Sequence, residues 1–290
     1  MKAIAAVVTF ALGWAAPAFA AEDKIAVVAA ENFYGDVARQ IGGDRVTVVS
    51  IMNSPDQDPH LFETTPTTVR QIATAQIVIL NGANYDPWME KLLAATPKPN
   101  RTAINAAQLT GRKPGDNPHL WYDPATMPAV ATAIADALSK ADGVHAPGYA
   151  ARLKDTLASL ERITQRVAQL KTKHAGTAVT ATEPVFGLMA DALGLTMRNQ
   201  RFQLAMMNDT EPSARDVAAF ERDLKERKVR VLIYNSQVSE KLTERLREIA
   251  GKAKVPVVGV TETMPANSSF QDWLLGELDA LDKALSGPNS

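Results

Sequence analysis

The sequence predicts an α/β protein of two lobes, each with a mainly parallel sheet covered by helices, joined by one long spine helix. Three observations lead there. Short β-branched runs alternate with longer helical patterns in both halves of the chain, the rhythm of parallel strands linked by crossover helices. A continuous apolar stripe at helical spacing separates the halves. The composition is ordinary for a globular protein, 46% hydrophobic and 22% charged over 290 residues, enough for one large domain or two lobes with a sizeable core.

The first twenty residues stand apart from the fold. Lys2 supplies a short positive region, residues 3–14 are apolar but too few to span a bilayer, and Ala18-Phe19-Ala20 has the small-x-small pattern that signal peptidase reads. Residues 1–20 are therefore expected to be a signal peptide cleaved near Ala20, leaving the mature chain in a periplasm. No Cys follows the apolar run, so a lipid anchor is not expected. No later segment reaches the ~18–20 apolar residues of a transmembrane helix.

Residues 21–143 are expected to form the N-terminal lobe. Strand 24–30 leads into helix 33–41, closed by Gly42-Gly43, and then strand 45–52. Helix 66–75, strand 76–80 and helix 87–95 follow, and Asp123-Pro124 opens a helix to about residue 140. The linking spine helix is placed at 144–174. There Tyr149, Leu153, Leu157, Leu160, Ile163, Val167 and Leu170 recur every three or four residues, one face of a helix roughly 35 Å long at 1.5 Å per residue. The C-terminal lobe, 175–290, repeats the rhythm: strand 178–182, helices 185–193 and 213–227, strand 229–234, helix 240–250, strand 255–260 and helix 268–285.

Charge and motif content narrow the function. With 31 Lys+Arg against 32 Asp+Glu, the chain offers no basic surface for nucleic acid. With no Cys there is no disulfide framework, thiol nucleophile or iron–sulfur cluster, so any metal must be held by His, carboxylate, carbonyl or water. The Gly-rich phosphate loop, the dinucleotide Gly pattern, the G-x-S-x-G elbow and His-Glu-x-x-His are all missing.

Two of the four His sit in matched pentapeptides, Asp58-Pro59-His60-Leu61-Phe62 and Asn117-Pro118-His119-Leu120-Trp121. Pro fixes its own φ and pushes the preceding residue toward extended geometry, which pre-orders the turn presenting each imidazole. Both lie in loops, where α/β folds place ligand sites. His145 and His174, at the two ends of the spine, read as structural or solvated. Glu183, just after strand 178–182, and Glu262, just after strand 255–260, occupy equivalent loop entries; each could bind a ligand or cap a helix. Asp209 and Glu211 are rivals in a polar loop, although Glu211-Pro212-Ser213 looks more like a helix entry.

These motifs, with Glu63 and Pro66 after the first and Tyr122-Asp123-Pro124 after the second, resemble a known family over essentially the whole mature chain. Together with the spine helix and Glu31-Asn32-Phe33-Tyr34 they are similar to the metal-binding substrate-binding proteins of manganese-, iron- and zinc-type ABC transporters. The resemblance implies one divalent transition-metal ion held between the lobes by His60, His119, Glu183 and Glu262, with no catalytic residue. Glu262 stands where relatives usually carry Asp, and Asn235 where they often carry Glu. Two imidazoles and two carboxylates suit Mn2+ or Fe2+, with Zn2+ close behind. The implied role is capture of the ion and delivery to an ABC permease in the inner membrane by a monomeric receptor. The alternative is a secreted metal-dependent hydrolase, in which three protein ligands leave a position open for a nucleophilic water.

Overall fold

A computed structural model describes residues 24–54, 62–238 and 240–287. The expected signal peptide and His60 lie outside the described residues.

The first lobe opens with β1 (Ile25–Glu31), α1 (Asn32–Gly42) and β2 (Val46–Met52), followed by α2 (Pro66–Thr74), β3 (Ile77–Leu80) and α3 (Pro87–Ala95). It continues through β4 (Thr102–Asn105), α4 (Ala106–Leu109) and α5 (Thr126–Ala141). After α6 (Ala146–His174), the second lobe runs β5 (Ala178–Ala181), α7 (Gly187–Ala192), β6 (Thr196–Arg198), α8 (Gln200–Met207) and α9 (Ala214–Lys225). It ends with β7 (Leu232–Asn235), α10 (Lys241–Lys252), β8 (Val257–Val260) and α11 (Phe270–Ser286).

Both sheets are wholly parallel and wound alike, in the orders β2-β1-β3-β4 and β6-β5-β7-β8. In each, the first strand pairs with the second on one side and the third on the other, Val27 facing both Val48 and Ile77, and Thr180 facing both Arg198 and Leu232. That reversal opens a crevice beyond the carboxyl ends of the central strands, the ligand position of doubly wound sheets. The strands are apolar because helices cover both faces: Ile77, Val78, Ile79 and Leu80 are all buried.

Local chemistry starts the helices where the sequence suggests. Thr65, Ser213 and Ser269 each accept a hydrogen bond from the backbone N–H three residues on, capping α2, α9 and α11. Ser213 as the cap of α9 agrees with the reading of Glu211-Pro212-Ser213 as a helix entry.

The spine helix α6 is 29 residues long, about 43 Å at 1.5 Å per residue. It packs against α1 and α5 of the first lobe and α11 of the second. Helix α11 then reaches back to the first lobe, where Trp273 lies 5.9 Å from the Phe33 ring and the Phe270 N–H donates to Asp36 at 2.9 Å. One hydrophobic core therefore runs through both lobes, from Ile25 and Phe33 to Val260 and Leu285.

Four elements escaped the sequence reading: β4, α4, β6 and α8. Both missed strands are three or four residues long and lie at sheet edges. Neither has the run of buried apolar residues that marks a central strand.

Candidate metal centre

The crevice between the lobes is lined from both sides by strand ends. From the first lobe come the turn after β3 and the loop before α5; from the second come the residues following β5, β7 and β8.

His119 is presented by the loop before α5 and is 1% exposed. Its Nδ1 lies 2.7 Å from Asn117 Oδ1, which also accepts the His119 backbone N–H at 3.1 Å. An amide oxygen can only accept, so Nδ1 carries a proton and Nε2 is the ring nitrogen turned toward the second lobe. The orientation of Asn117 is fixed at its other end, where Nδ2 donates to the Pro184 carbonyl of the second lobe at 2.8 Å. Space here is tight: a Cβ on Gly187 would stand 2.8 Å from Asn117 Nδ2. Among the described residues the buried Nε2 has no hydrogen-bond partner, and it lies 3.5 Å from Glu262 Oε2. An imidazole nitrogen and a carboxylate oxygen buried face to face are donors suited to a shared cation.

Glu262 follows β8 and is fully buried. Its Oε2 accepts from Tyr85 Oη at 2.9 Å and its Oε1 from Asn235 Nδ2 at 2.7 Å. The same Nδ2 donates to Glu183 Oε2 at 3.2 Å, so one amide joins both carboxylates. Glu183 precedes a short 3-10 turn, Pro184–Phe186, and makes no capping hydrogen bond with its side chain. Burial, then the Glu262 and Glu31 carboxylates, push the Tyr85 phenol well above its ordinary value of 10, which keeps it a donor.

The structure thus gathers three of the four expected ligand residues about one crevice: His119 beside Glu262, and Glu183 joined to Glu262 through Asn235. Among the described residues no three His, Asp or Glu close into a metal-holding group by themselves. The fourth expected residue, His60, lies outside the described residues. Asp209 and Glu211 are exposed between α8 and α9. His145 Nδ1 pairs with Asp142 at 2.9 Å and His174 Nε2 with Asp282 at 2.8 Å, both at the ends of α6.

Sequence reasoning left Asn235 open and did not name Tyr85 or Asp86. Nothing local distinguishes Tyr85 in Asn84-Tyr85-Asp86; only the tertiary fold brings it to Glu262. Glu31, the last residue of β1, is fully buried beside Asp86. Burial and then the Asp86 charge push its carboxyl well above 4.5. Asp86 itself, raised by burial to about 6, accepts the Asn81 and Gly82 N–H groups, each at 2.7 Å.

Two like-wound lobes, one rigid connecting helix and converging imidazole and carboxylate donors define a metal-binding substrate-binding protein of the ABC-transporter type. The family described as "ZnuA: Zinc-uptake complex component A periplasmic" matches residues 27–284, and the chain belongs to that family. It is 24% identical to a "Putative metal-binding protein" of Treponema pallidum, over 91% of this chain and 88% of the relative. Against the "Manganese-binding lipoprotein MntA" of Bacillus subtilis it is 24% identical, over 76% and 74% respectively. Among solved structures it resembles the periplasmic zinc-binding protein TroA of Treponema pallidum. The TM-score is 0.77 and the identity 19%, over 91% of this chain and all of the other. A zinc-bound deletion mutant of ZnuA gives a TM-score of 0.75 at 24% identity, over 92% and 100%.

Proposed function

We propose that the chain captures a divalent transition-metal ion in the periplasm, after cleavage near Ala20, and passes it to an ABC permease in the inner membrane. His60, His119, Glu183 and Glu262 are the ligands. The lobes are 21–143 and 175–290, with 144–174 as the link, and the receptor works as a monomer.

The observation that carries this reading is the buried His119 Nε2, without a hydrogen bond among the described residues and 3.5 Å from a buried carboxylate oxygen. Two neutral imidazoles and two carboxylates balance a divalent charge. Taken as a donor set alone, they suit Mn2+ or Fe2+, with Zn2+ close behind, and intrinsic affinity favours Zn2+ over Mn2+ in any such site. Four protein ligands leave little room for a nucleophilic water, which favours a receptor over a hydrolase. Supporting the same reading, the relatives named above are metal-binding proteins.

Metal analysis of protein purified from its native periplasm gives the ion. Titration of metal-stripped protein tests the ligands: His60→Ala, His119→Ala, Glu183→Gln and Glu262→Gln should each weaken binding by more than the ~10–100-fold of an outer-shell loss. His145→Ala and His174→Ala should leave it unchanged. Equal losses for all four His variants would refute the assignment.

A further inference from the structure

We propose that Asn235 sets the metal preference of the site: by holding one oxygen of each second-lobe carboxylate, it favours a four-coordinate ion over one that needs more oxygens. The inference rests on the ligand set proposed above, His60 and His119 as well as Glu183 and Glu262.

Asn235 ends β7, between the loops that follow β5 and β8, and is 1% exposed. Its Nδ2 donates to Glu262 Oε1 at 2.7 Å and to Glu183 Oε2 at 3.2 Å. Its own Oδ1 accepts the Gln237 N–H at 3.1 Å. Turning the amide over would lose that bond and set an oxygen against two buried carboxylates. The donor is therefore fixed where it stands.

A carboxylate raises a metal's coordination number by chelating through both oxygens. Here Asn235 engages one oxygen of each in a charge-assisted hydrogen bond, the stronger kind. The other oxygen of Glu262, Oε2, is the one beside His119 Nε2, and it reaches a cation by exchanging the Tyr85 bond for the metal. Two imidazoles and one oxygen from each carboxylate make four donors, the number Zn2+ takes tetrahedrally. An ion that draws on the second oxygen of either carboxylate competes with the Asn235 amide for that oxygen's electron density. The donor types alone suit Mn2+ or Fe2+; the hydrogen bonds to them tilt the choice toward Zn2+. Outer-shell partners commonly tune a metal in this way.

Three measurements on the metal-stripped mature protein test this: Zn2+ affinity, Mn2+ affinity and the visible spectrum with Co2+. The unaltered protein should give the intense Co2+ bands of four-coordination. Asn235→Ala and Asn235→Leu, the second with the branched skeleton of Asn but no donor, should lower the Zn2+-to-Mn2+ affinity ratio about ten-fold, the scale of a hydrogen bond to a charged group. They should also weaken the Co2+ bands. An unchanged ratio in both variants overturns the proposal. So does a weak, high-coordination Co2+ spectrum of the unaltered protein, which decides the matter even if neither variant folds. Glu183→Gln and Glu262→Gln binding metal as tightly as the unaltered protein would instead overturn the ligand set, and the inference with it.

Discussion

Tyr122 has one phenolic proton and two acceptors within reach. Its Oη lies 2.7 Å from the Thr261 carbonyl and 2.8 Å from Glu277 Oε2. If Tyr122 donates to Thr261, the second contact needs a proton from Glu277. Burial supplies the reason for one, raising the Glu277 carboxyl from 4.5 to about 8 although Trp273 Nε1 and the Thr261 N–H also donate to it. The sign follows directly. The folded protein keeps a proton that the unfolded chain releases near 4.5, so this group's stabilisation is complete below about 4.5 and is lost as pH rises through about 8. The melting temperature of metal-free protein should therefore fall between pH 5 and 8.5, and Glu277→Gln should flatten that fall. An unchanged slope in the variant would show that Glu277 is ionised throughout. No feature of the sequence marks Glu277 as different from any other helical Glu. His119 was legible because Asn-Pro-His carries its own turn and the partner for its own Nδ1. Glu262, which faces it from the opposite lobe, was named as a loop entry and through the family resemblance, whereas Tyr85 was not, since long-range placement leaves no trace in local spacing.

At the level of elements, the segment after β8 belongs to the second lobe by sequence and is hydrogen-bonded to both lobes, with Asn235, Gln237 and Glu277 on its own side. Tyr122 holds the Thr261 carbonyl, Tyr85 holds Glu262, and Thr263 Oγ1 donates to the Ser54 carbonyl at 3.0 Å. Asn32 clasps Met264 at both backbone groups, donating to its carbonyl at 2.6 Å and accepting its N–H at 2.9 Å. Asn32→Ala would leave two buried backbone groups without partners, at about 1–3 kcal/mol for each. Denaturant unfolding should show a loss of that order, with weaker metal binding as Glu262 loses its support. Wild-type stability in this variant would mean that water replaces the side chain. The long central elements could be read from periodicity, and α6 most securely, because its stripe persists over many turns. The edge strands β4 and β6 could not: three or four residues of mixed polarity acquire strand character only by pairing with a neighbour.

Across the whole molecule, the two sheets have separate outer-face clusters, one around Val28, Ile72 and Met89 and one around Phe202, Phe220 and Leu246. Between them lies a single core that α6 and α11 thread through both lobes. Removing either lobe would expose that core, so the lobes should unfold together. Calorimetry of the mature protein should show one transition whose calorimetric and van't Hoff enthalpies agree, and bound metal should raise its midpoint. Two resolved transitions would show that the lobes are energetically separate. The two-lobe plan was legible in the repeated strand–helix rhythm. The shared core was not, because the return of α11 to Phe33 and Asp36 is encoded only in the final packing.

The uneven stitching of the crevice gives it a handedness. Along the Glu262 border the lobes are sewn by hydrogen bonds at four consecutive residues; at the Glu183 border Asn117 bonds to the Pro184 carbonyl and Tyr122 packs on Phe186 with ring centroids 5.2 Å apart. Asn235 and Gln237 hold the same segment to the second lobe, so Glu262 is pinned from both sides of the crevice. Parting the lobes at Pro184 would break the tie at Asn117, which also orients His119. Unlatching the door and slackening the grip on the ion would then be one event.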